Sequence, residues 1–385
     1  MRVRFRLLVA IAVLAVTAVA GSATVVGAPV VALQDDVLPT IDDPARLAER
    51  LDLLAATGVR VTRVDVLWSL VAPRRPEQPR DPGDPAYDWR RYDAVLSGLA
   101  ARGIGAIVDY YHTPAWASRR RPARPSDPPR AADAAAFAGA LARRYSGSWP
   151  SPSGGLLPEV RRIEVWNEPN IDTFYAAQCH RTGRGWAYDA PRSYAALLTL
   201  AYREIKRGNP RAVVVGGVAG PTAATSCPGR DARHRRNVSF VELVVRERPS
   251  LDAWSQHIYP IGSPARAYFF PSWSSIPRIA RALDKLRPGI PIYVTETGYH
   301  TSYNRFHRYF VSEGQQAAWL EETFAQARRY GRVEMATWFN LQDNPFWTGG
   351  LLRADGSRKP SYERFLRVAS AAGAPPPSWT PASQG

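Results

Sequence analysis

The chain has 385 residues, 45% of them apolar and 22% charged, which suits a large folded core and excludes an intrinsically disordered class. Its 50 Lys and Arg against 34 Asp and Glu give a formal net charge of +16, carried almost entirely by Arg. These Arg residues spread along predicted helices and loops, as in Arg161-Arg162, Arg235-Arg236 and Arg328-Arg329, and are not interleaved with aromatics on one face, so no nucleic-acid partner is expected.

The N-terminus reads as a secretory signal over residues 1–20. Arg2, Arg4 and Arg6 form a basic start, Leu7 to Ala20 is apolar, and Ala18-Val19-Ala20 supplies a small-residue cleavage site. Its removal lowers the net charge to +13 and implies a secreted or cell-envelope location. A membrane is a partner only if the segment stays uncleaved. From residue 29 to 372 short β-branched runs alternate with amphipathic helical stretches. The strand candidates are Val30–Leu33, Val59–Leu67, Ile104–Tyr111, Val160–Asn167, Ala212–Val218, Leu251–Ile258, Pro291–Glu296 and Val333–Phe339. Helical patterns follow them over Pro44–Thr57, Trp89–Arg102, Ala131–Arg144, Pro191–Arg207, Phe240–Arg246, Ile276–Leu286, Gly314–Tyr330 and Ser361–Ala371. Gly58, Gly103, Gly208 and Gly331 stand where a left-handed residue would close a helix. Eight such units favour one α/β domain, a (β/α)8 TIM barrel with elaborated loops at the C-terminal face. No Gly-rich phosphate turn follows an early strand, which speaks against an open dinucleotide-binding sheet. The Pro-rich segment 373–385 is expected to be a disordered tail.

Two strands end on a carboxylate beside a Pro or Gly turn. Ile163-Glu164-Val165-Trp166-Asn167-Glu168-Pro169-Asn170 delivers Glu168, and Ile292-Tyr293-Val294-Thr295-Glu296-Thr297-Gly298 delivers Glu296. A single Glu in such a place reads as an exposed strand end. Two in matching contexts read as a carboxylate pair at the catalytic rim of a barrel, the equipment of glycoside hydrolysis. Glu164, two residues inward, reads as structural and paired with an Arg. No His-Glu-x-x-His or His-x-His occurs, so no metal and no cofactor are expected. The two cysteines, Cys179 and Cys227, read as a disulfide bracing two rim loops of an exported protein.

Trp-Asn-Glu-Pro-Asn at 166–170 with Thr-Glu-Thr-Gly at 295–298 resembles the retaining glycoside hydrolases of clan A, most similar to families 39 and 5. Further parts of the resemblance are Arg63 with Trp68, the run His112-Thr113-Pro114-Ala115-Trp116-Ala117, His257-Ile258-Tyr259, and Trp338. It implies an O-glycosidase working by double displacement on a poly- or oligosaccharide, with Glu168 as acid/base and Glu296 as nucleophile. Arg63 would keep Glu296 ionised, Asn167 would hold the sugar 2-OH, and His257, Tyr259 and His112 would bind or support. Trp338 would be either a sugar platform or a core residue. Aromatics after the sixth and seventh strands would line subsites or pack the loops. The alternatives are an envelope-glycan transglycosylase using the same site and a barrel that binds polysaccharide without turnover. The positive charge is either compositional bias or attraction to an anionic cell-envelope glycan, with Arg119-Arg120-Arg121, Arg124, Arg230, Arg233, Arg235 and Arg236 in rim loops.

Overall fold

Each β-branched run forms a strand, and the strands are built so that alternate residues face inward. In the computed structural model, which describes residues 27–176, 178–183, 185–221, 237–266, 272–303 and 309–381, the chain runs in the following order. β1 (Val30–Gln34) leads to α1 (Pro44–Ala55), then β2 (Val61–Leu67), the short α2 (Trp68–Val71) and α3 (Arg90–Ala101). β3 (Gly105–Tyr111), α4 (Ala131–Arg144) and β4 (Arg162–Val165) precede a hairpin of β5 (Cys179–Thr182) and β6 (Gly185–Tyr188). α5 (Ala190–Gly208), β7 (Val213–Ala219), α6 (Asn237–Arg246), β8 (Ala253–Gln256) and α7 (Ile276–Asp284) continue the alternation. β9 (Ile292–Thr297), α8 (Glu313–Arg329), β10 (Val333–Phe339) and α9 (Pro360–Ala372) complete it.

Eight strands pair in parallel in the order β1-β10-β9-β8-β7-β4-β3-β2, with helices outside, as a (β/α)8 barrel. The remaining seam, between β1 and β2, is stitched by side chains: Thr62 Oγ1 donates to the Leu33 carbonyl at 2.7 Å, and Gln34 Nε2 to Asp65 at 3.1 Å. Helix starts follow their sequence signals. Asp43 caps α1 by accepting from Arg46 N, with Pro44 behind it, and Ser312 caps α8 by accepting from Gln315 N.

Val30, Ala32, Val61, Ile107, Val215, Ala253, Tyr293 and Met335 point inward and make an apolar barrel floor. Trp379 joins them. The segment expected to be a disordered tail is therefore, up to residue 381, a docked plug: Pro377–Trp379 forms a turn of 3-10 helix and the Trp379 ring is buried. The Arg162 guanidinium lies 3.2 Å from the ring centroid and donates to the Ser378 carbonyl at 2.6 Å. Gly105 makes room, since a Cβ there would stand 1.8 Å from the Trp379 carbonyl oxygen. A Pro-rich composition suggested disorder, but one Trp finds an apolar hole at the end of the barrel.

Two of the four glycines assigned to helix ends behave as expected, Gly58 at φ 76° and Gly103 at φ 67°. Gly208 has another purpose: it lets α5 lie against the Ala-rich α4, where a Cβ would meet the Gly139 carbonyl at 2.4 Å. Gly331 is not among the residues with positive φ. The insert that carries Cys179 is the β5–β6 hairpin, which the sequence reading left unassigned. Cys227, Arg230, Arg233, Arg235, Arg236 and the signal segment 1–20 lie outside the described residues. No helix among the described residues is long and apolar enough to cross a membrane.

Trp379→Ala should open a cavity at the barrel floor and cost about 3–5 kcal/mol. Chemical denaturation showing a loss below about 1 kcal/mol would mean that the plug is not part of the stabilising core.

Candidate active site

The strand-to-loop turn after β4 is strained. Trp166 and Glu168 are both left-handed, at φ 73° and 41°, a conformation costly for side chains with a Cβ. Its surroundings hold it in place. The Trp166 indole donates to the Phe174 carbonyl at 2.9 Å and stands edge-on to Tyr175, while Glu168 N donates to the Val218 carbonyl at 2.9 Å. Asn170 clamps the turn to the end of β7, accepting from Gly220 N at 2.8 Å and donating to the Gly220 carbonyl at 3.2 Å. Gly220 is a site residue the sequence reading missed. A Cβ there would stand 2.5 Å from the Glu168 carboxyl carbon, so any other residue would push the acid away. Its signal was the Ala-Gly-Pro step closing a strand.

Beneath this turn Asp65, Asp109 and Glu164 stand in register on β2, β3 and β4, pointing into the barrel. Arg63, fully buried, answers them all. Its Nε donates to Glu164 at 2.6 Å, Nη1 to Asp65 at 3.2 Å, to Gln34 at 3.2 Å and to Glu296 at 2.8 Å. Nη2 donates to Asn167 at 2.9 Å and pairs with Asp109 at 3.0 Å. Burial, with Asp65 and Glu164 beside it, holds the Asp109 carboxyl well above the usual range, against the pull of Arg63. The reading of Glu164 as an Arg-paired structural acid holds.

The predicted carboxylate pair comes together above this layer. One ligand atom each from Glu168, His257 and Glu296 lie within 4.8 Å of one another. His257 Nδ1 is 2.8 Å from Glu168 Oε1 and 3.4 Å from Glu296 Oε2. Tyr259 donates to Glu296 Oε2 at 2.7 Å, while Arg63 holds Oε1. The two acids differ in their partners. Burial pushes the Glu168 carboxyl up to about 8, against which Arg63 works only weakly. Burial also raises Glu296, but His257 and Arg63 pull it back towards the ionised form. Burial lowers His257, so the ring is neutral near pH 7. Its Nε2 is buried without a hydrogen-bond partner, and a bare acceptor costs less than a bare N–H. The proton therefore sits on Nδ1 and points between the carboxylates. This trio has the spacing of a cation site, but an ion there would have to break the His257 and Tyr259 hydrogen bonds.

Asn167 has its carbonyl oxygen fixed by Arg63, which orients the amide of the residue next to Glu168. His112, at φ 73° after β3, is half-buried, with Nδ1 2.6 Å from Ser69 Oγ; it belongs to the rim between β2 and β3 and does not join the carboxylate cluster. Trp338 is a correction. It is fully buried in the layer between strands and helices, donates to the Gly349 carbonyl at 3.2 Å and faces Tyr299, so it cannot be a sugar platform. Strand alternation turns Phe339 inward instead. Trp347, from the loop after β10, donates to the Phe339 carbonyl at 2.8 Å and stands edge-on to Tyr259 at 5.0 Å between centroids. The sequence offered no spacing that would place that loop Trp beside Tyr259. Gly298 is needed for the same contact, since a Cβ there would be 2.5 Å from the Phe339 carbonyl oxygen. The Arg-rich rim segment folds around buried Asp127: Arg124 N donates to it at 2.8 Å, Arg120 pairs with it at 3.5 Å, and Arg121 donates to the Ser118 and Arg120 carbonyls.

A (β/α)8 barrel with one buried and one partly buried carboxyl group at the C-terminal ends of β4 and β9 is the class of architecture the chain defines. Its solved structural neighbours are clan A glycoside hydrolases. One is a family 39 glycoside hydrolase from Bacteroides cellulosilyticus, 22% identical, with a TM-score of 0.59 over 89% of this chain and 64% of that one. A family 39 β-xylosidase from Caulobacter crescentus is 22% identical, with a TM-score of 0.59 over 89% of this chain and 71% of that enzyme. A family 5 subfamily 18 protein from Streptomyces cattleya, solved with GlcNAc, is 17% identical, with a TM-score of 0.62 over 91% of this chain and 82% of that one. The chain thus spans less than two thirds of the Bacteroides enzyme, and at these identities the likeness establishes the fold. No protein-family model and no curated protein matches the sequence.

Raising the Glu168 pKa to about 8 has a stability consequence independent of any substrate. The folded state keeps a proton that the unfolded chain releases above its ordinary value of 4.5, so stability falls as pH rises between 4.5 and about 8. The full loss is on the order of 5 kcal/mol at the top of that window. Glu168→Gln should remove this fall and exceed the parent in thermal stability at pH 8 but not at pH 4.5. Parallel stability curves for the two proteins would contradict the assignment.

Proposed function

We propose that the chain is an exported retaining O-glycoside hydrolase acting on a poly- or oligosaccharide, with Glu168 as acid/base and Glu296 as nucleophile. The observation that carries this reading is the close approach of two carboxyls with opposite partners, within 4.8 Å at their nearest ligand atoms. Direct attack needs carboxyls about 5–5.5 Å apart, whereas an inverting pair needs about 6.5–9.5 Å to admit water.

In the first step Glu168, protonated at neutral pH, gives its proton to the leaving glycosidic oxygen while Glu296 attacks the anomeric carbon from the opposite face. Arg63 and Tyr259 hold both Glu296 oxygens, keeping the nucleophile ionised and aimed. Esterification removes the negative charge of Glu296, so ionisation of Glu168 becomes easier. In the second step Glu168 takes a proton from water, and the hydroxide attacks the glycosyl ester and releases Glu296. The Asn167 amide, with its oxygen held by Arg63, is the candidate donor to the sugar 2-OH. If a sugar hydroxyl replaces water, the same intermediate leads to transglycosylation. A barrel that only binds polysaccharide would gain nothing from a carboxyl pushed up to about 8 beside a second one held by Arg63 and Tyr259. Secretion follows from the N-terminal signal, and a Cys179–Cys227 disulfide would suit that location.

The test is turnover of a panel of aryl and alkyl glycosides, with the anomer of the first-formed product read by NMR. Retention is expected. Glu296→Ala should lose essentially all activity. Glu168→Ala should lose about 10²–10⁴-fold on alkyl glycosides but little on dinitrophenyl glycosides, whose leaving group needs no proton. Inversion, or equal losses on both substrate types, would overturn the assignment.

A further inference from the structure

The walls of the pocket opposite Glu168 also carry charge, and its sign decides which sugars fit. Asp65 is the uppermost inward charged residue of β2, and its side chain is 19% exposed while that of the neighbouring Arg63 is fully buried. Its Oδ1 accepts from Gln34 Nε2 and Arg63, and its Oδ2 only a long hydrogen bond of 3.3 Å from Tyr111. That oxygen retains lone-pair capacity towards the cleft. Asp36 lies in the turn two residues past the end of β1, beside Asn340 at the end of β10. The Asn340 and Asn344 amides donate one to each of its oxygens. Burial, opposed by these amides, pushes its carboxyl up to about 6, with Asp35 and Asp65 contributing through space.

Among the described residues, several cations near this wall are held by protein acceptors. Arg63 has five N–H groups that meet five acceptors, with Asp109 paired beside them, and none of its side chain is exposed. Arg50 binds both oxygens of Asp35, at 2.5 and 2.8 Å, and also Gln342. Lys359 donates to Asp343 at 2.7 Å, Thr301 at 2.8 Å and the Thr348 carbonyl at 3.0 Å. The rim arginines 120 and 121 are occupied with Asp127 and backbone carbonyls. Sugar hydroxyls are donors that carboxylates accept well, whereas a sugar carboxylate would meet Asp65 and Glu296, and the guanidinium between them, Arg63, is already engaged by both.

Resting on the glycosidase reading of this site, we propose that the position beside Glu296 takes an uncharged pyranose and rejects a uronate, with Asp65 and Asp36 as specificity-determining acceptors for sugar hydroxyls. The net positive charge of the chain therefore does not translate into an acidic sugar at the reacting position, contrary to the expectation of an anionic glycan there. Like charges a few ångströms apart in a partly dry pocket discriminate by about a hundredfold or more.

The experiment compares kcat/KM for p-nitrophenyl glucoside, galactoside and mannoside with that for their C6-oxidised uronides. Calorimetry with glucose- and glucuronate-configured isofagomine adds a readout that needs no turnover. At least one neutral glycoside should exceed its uronide by about 100-fold, and the neutral inhibitor should bind more tightly. Asp36→Asn should shrink that ratio about tenfold or more by raising uronide turnover, an effect that simple loss of structure would not produce. Uronides cleaved as well as their neutral partners, or equal binding of the two inhibitors, would overturn this inference and leave the glycosidase reading standing. If neither turnover nor inhibitor binding is seen, the glycosidase reading itself fails and the inference with it.

Discussion

One guanidinium holds the upper barrel together. Asp65, Asp109 and Glu164 sit in register on three adjacent strands, and Glu296 closes over them, so four carboxyl groups share a space reached by the single buried cation Arg63. The arrangement is tolerable because Arg63 engages each of these acids directly, while burial and the neighbouring acids favour the neutral form of Asp109. Removing Arg63 would leave buried acids uncompensated, a change worth several kcal/mol in comparable settings. The same side chain reaches Gln34 across the β1–β2 seam, which no strand ladder closes, and Glu296 and Asn167 at the mouth. Barrel closure and nucleophile alignment thus depend on one residue.

The polar top is matched by an apolar bottom. Inward residues change along each strand from Val61 to Arg63 to Asp65 on β2, and from Ile107 to Asp109 on β3. Trp379 seals the lower end, so water has no short route to the charged layer from below, and burial rather than a specific partner raises Glu168. The strained turn at Trp166 and Glu168 stands on this rigid base, with Gly220 and Asn170 supplying the space and the clamp.

The barrel was legible because its signals are local and periodic: every predicted strand and helix exists, with ends shifted by a few residues. Glu168 and Glu296 were legible because each ends a strand beside a turn former. What the sequence could not convey was orientation and long-range fit. Trp338 lies one position off the inward register, and nothing short of strand pairing reveals that Phe339 takes its place. Trp379 looked like part of a disordered tail because its partner surface, the barrel floor, exists only after closure. Gly208 and Gly220 carry the same letter as a helix-ending glycine, yet their cause is a neighbour that would strike a Cβ. The acidic character of the cleft was hidden by a strongly basic composition, since most Arg residues lie on the surface while Asp65, Asp109, Glu164, Glu168 and Glu296 gather in the upper barrel around one Arg.

The central claim is that Glu296, held by Arg63 and Tyr259, attacks the sugar directly. Its most direct test is to incubate the protein with 2,4-dinitrophenyl 2-deoxy-2-fluoroglycosides of several configurations and to map any covalent label by peptide mass spectrometry. A single fluoro-sugar added to the peptide bearing Glu296, absent in Glu296→Ala, is the expected result. Labelling at another residue, or no label under conditions where the parent glycosides are hydrolysed, would contradict direct attack by Glu296.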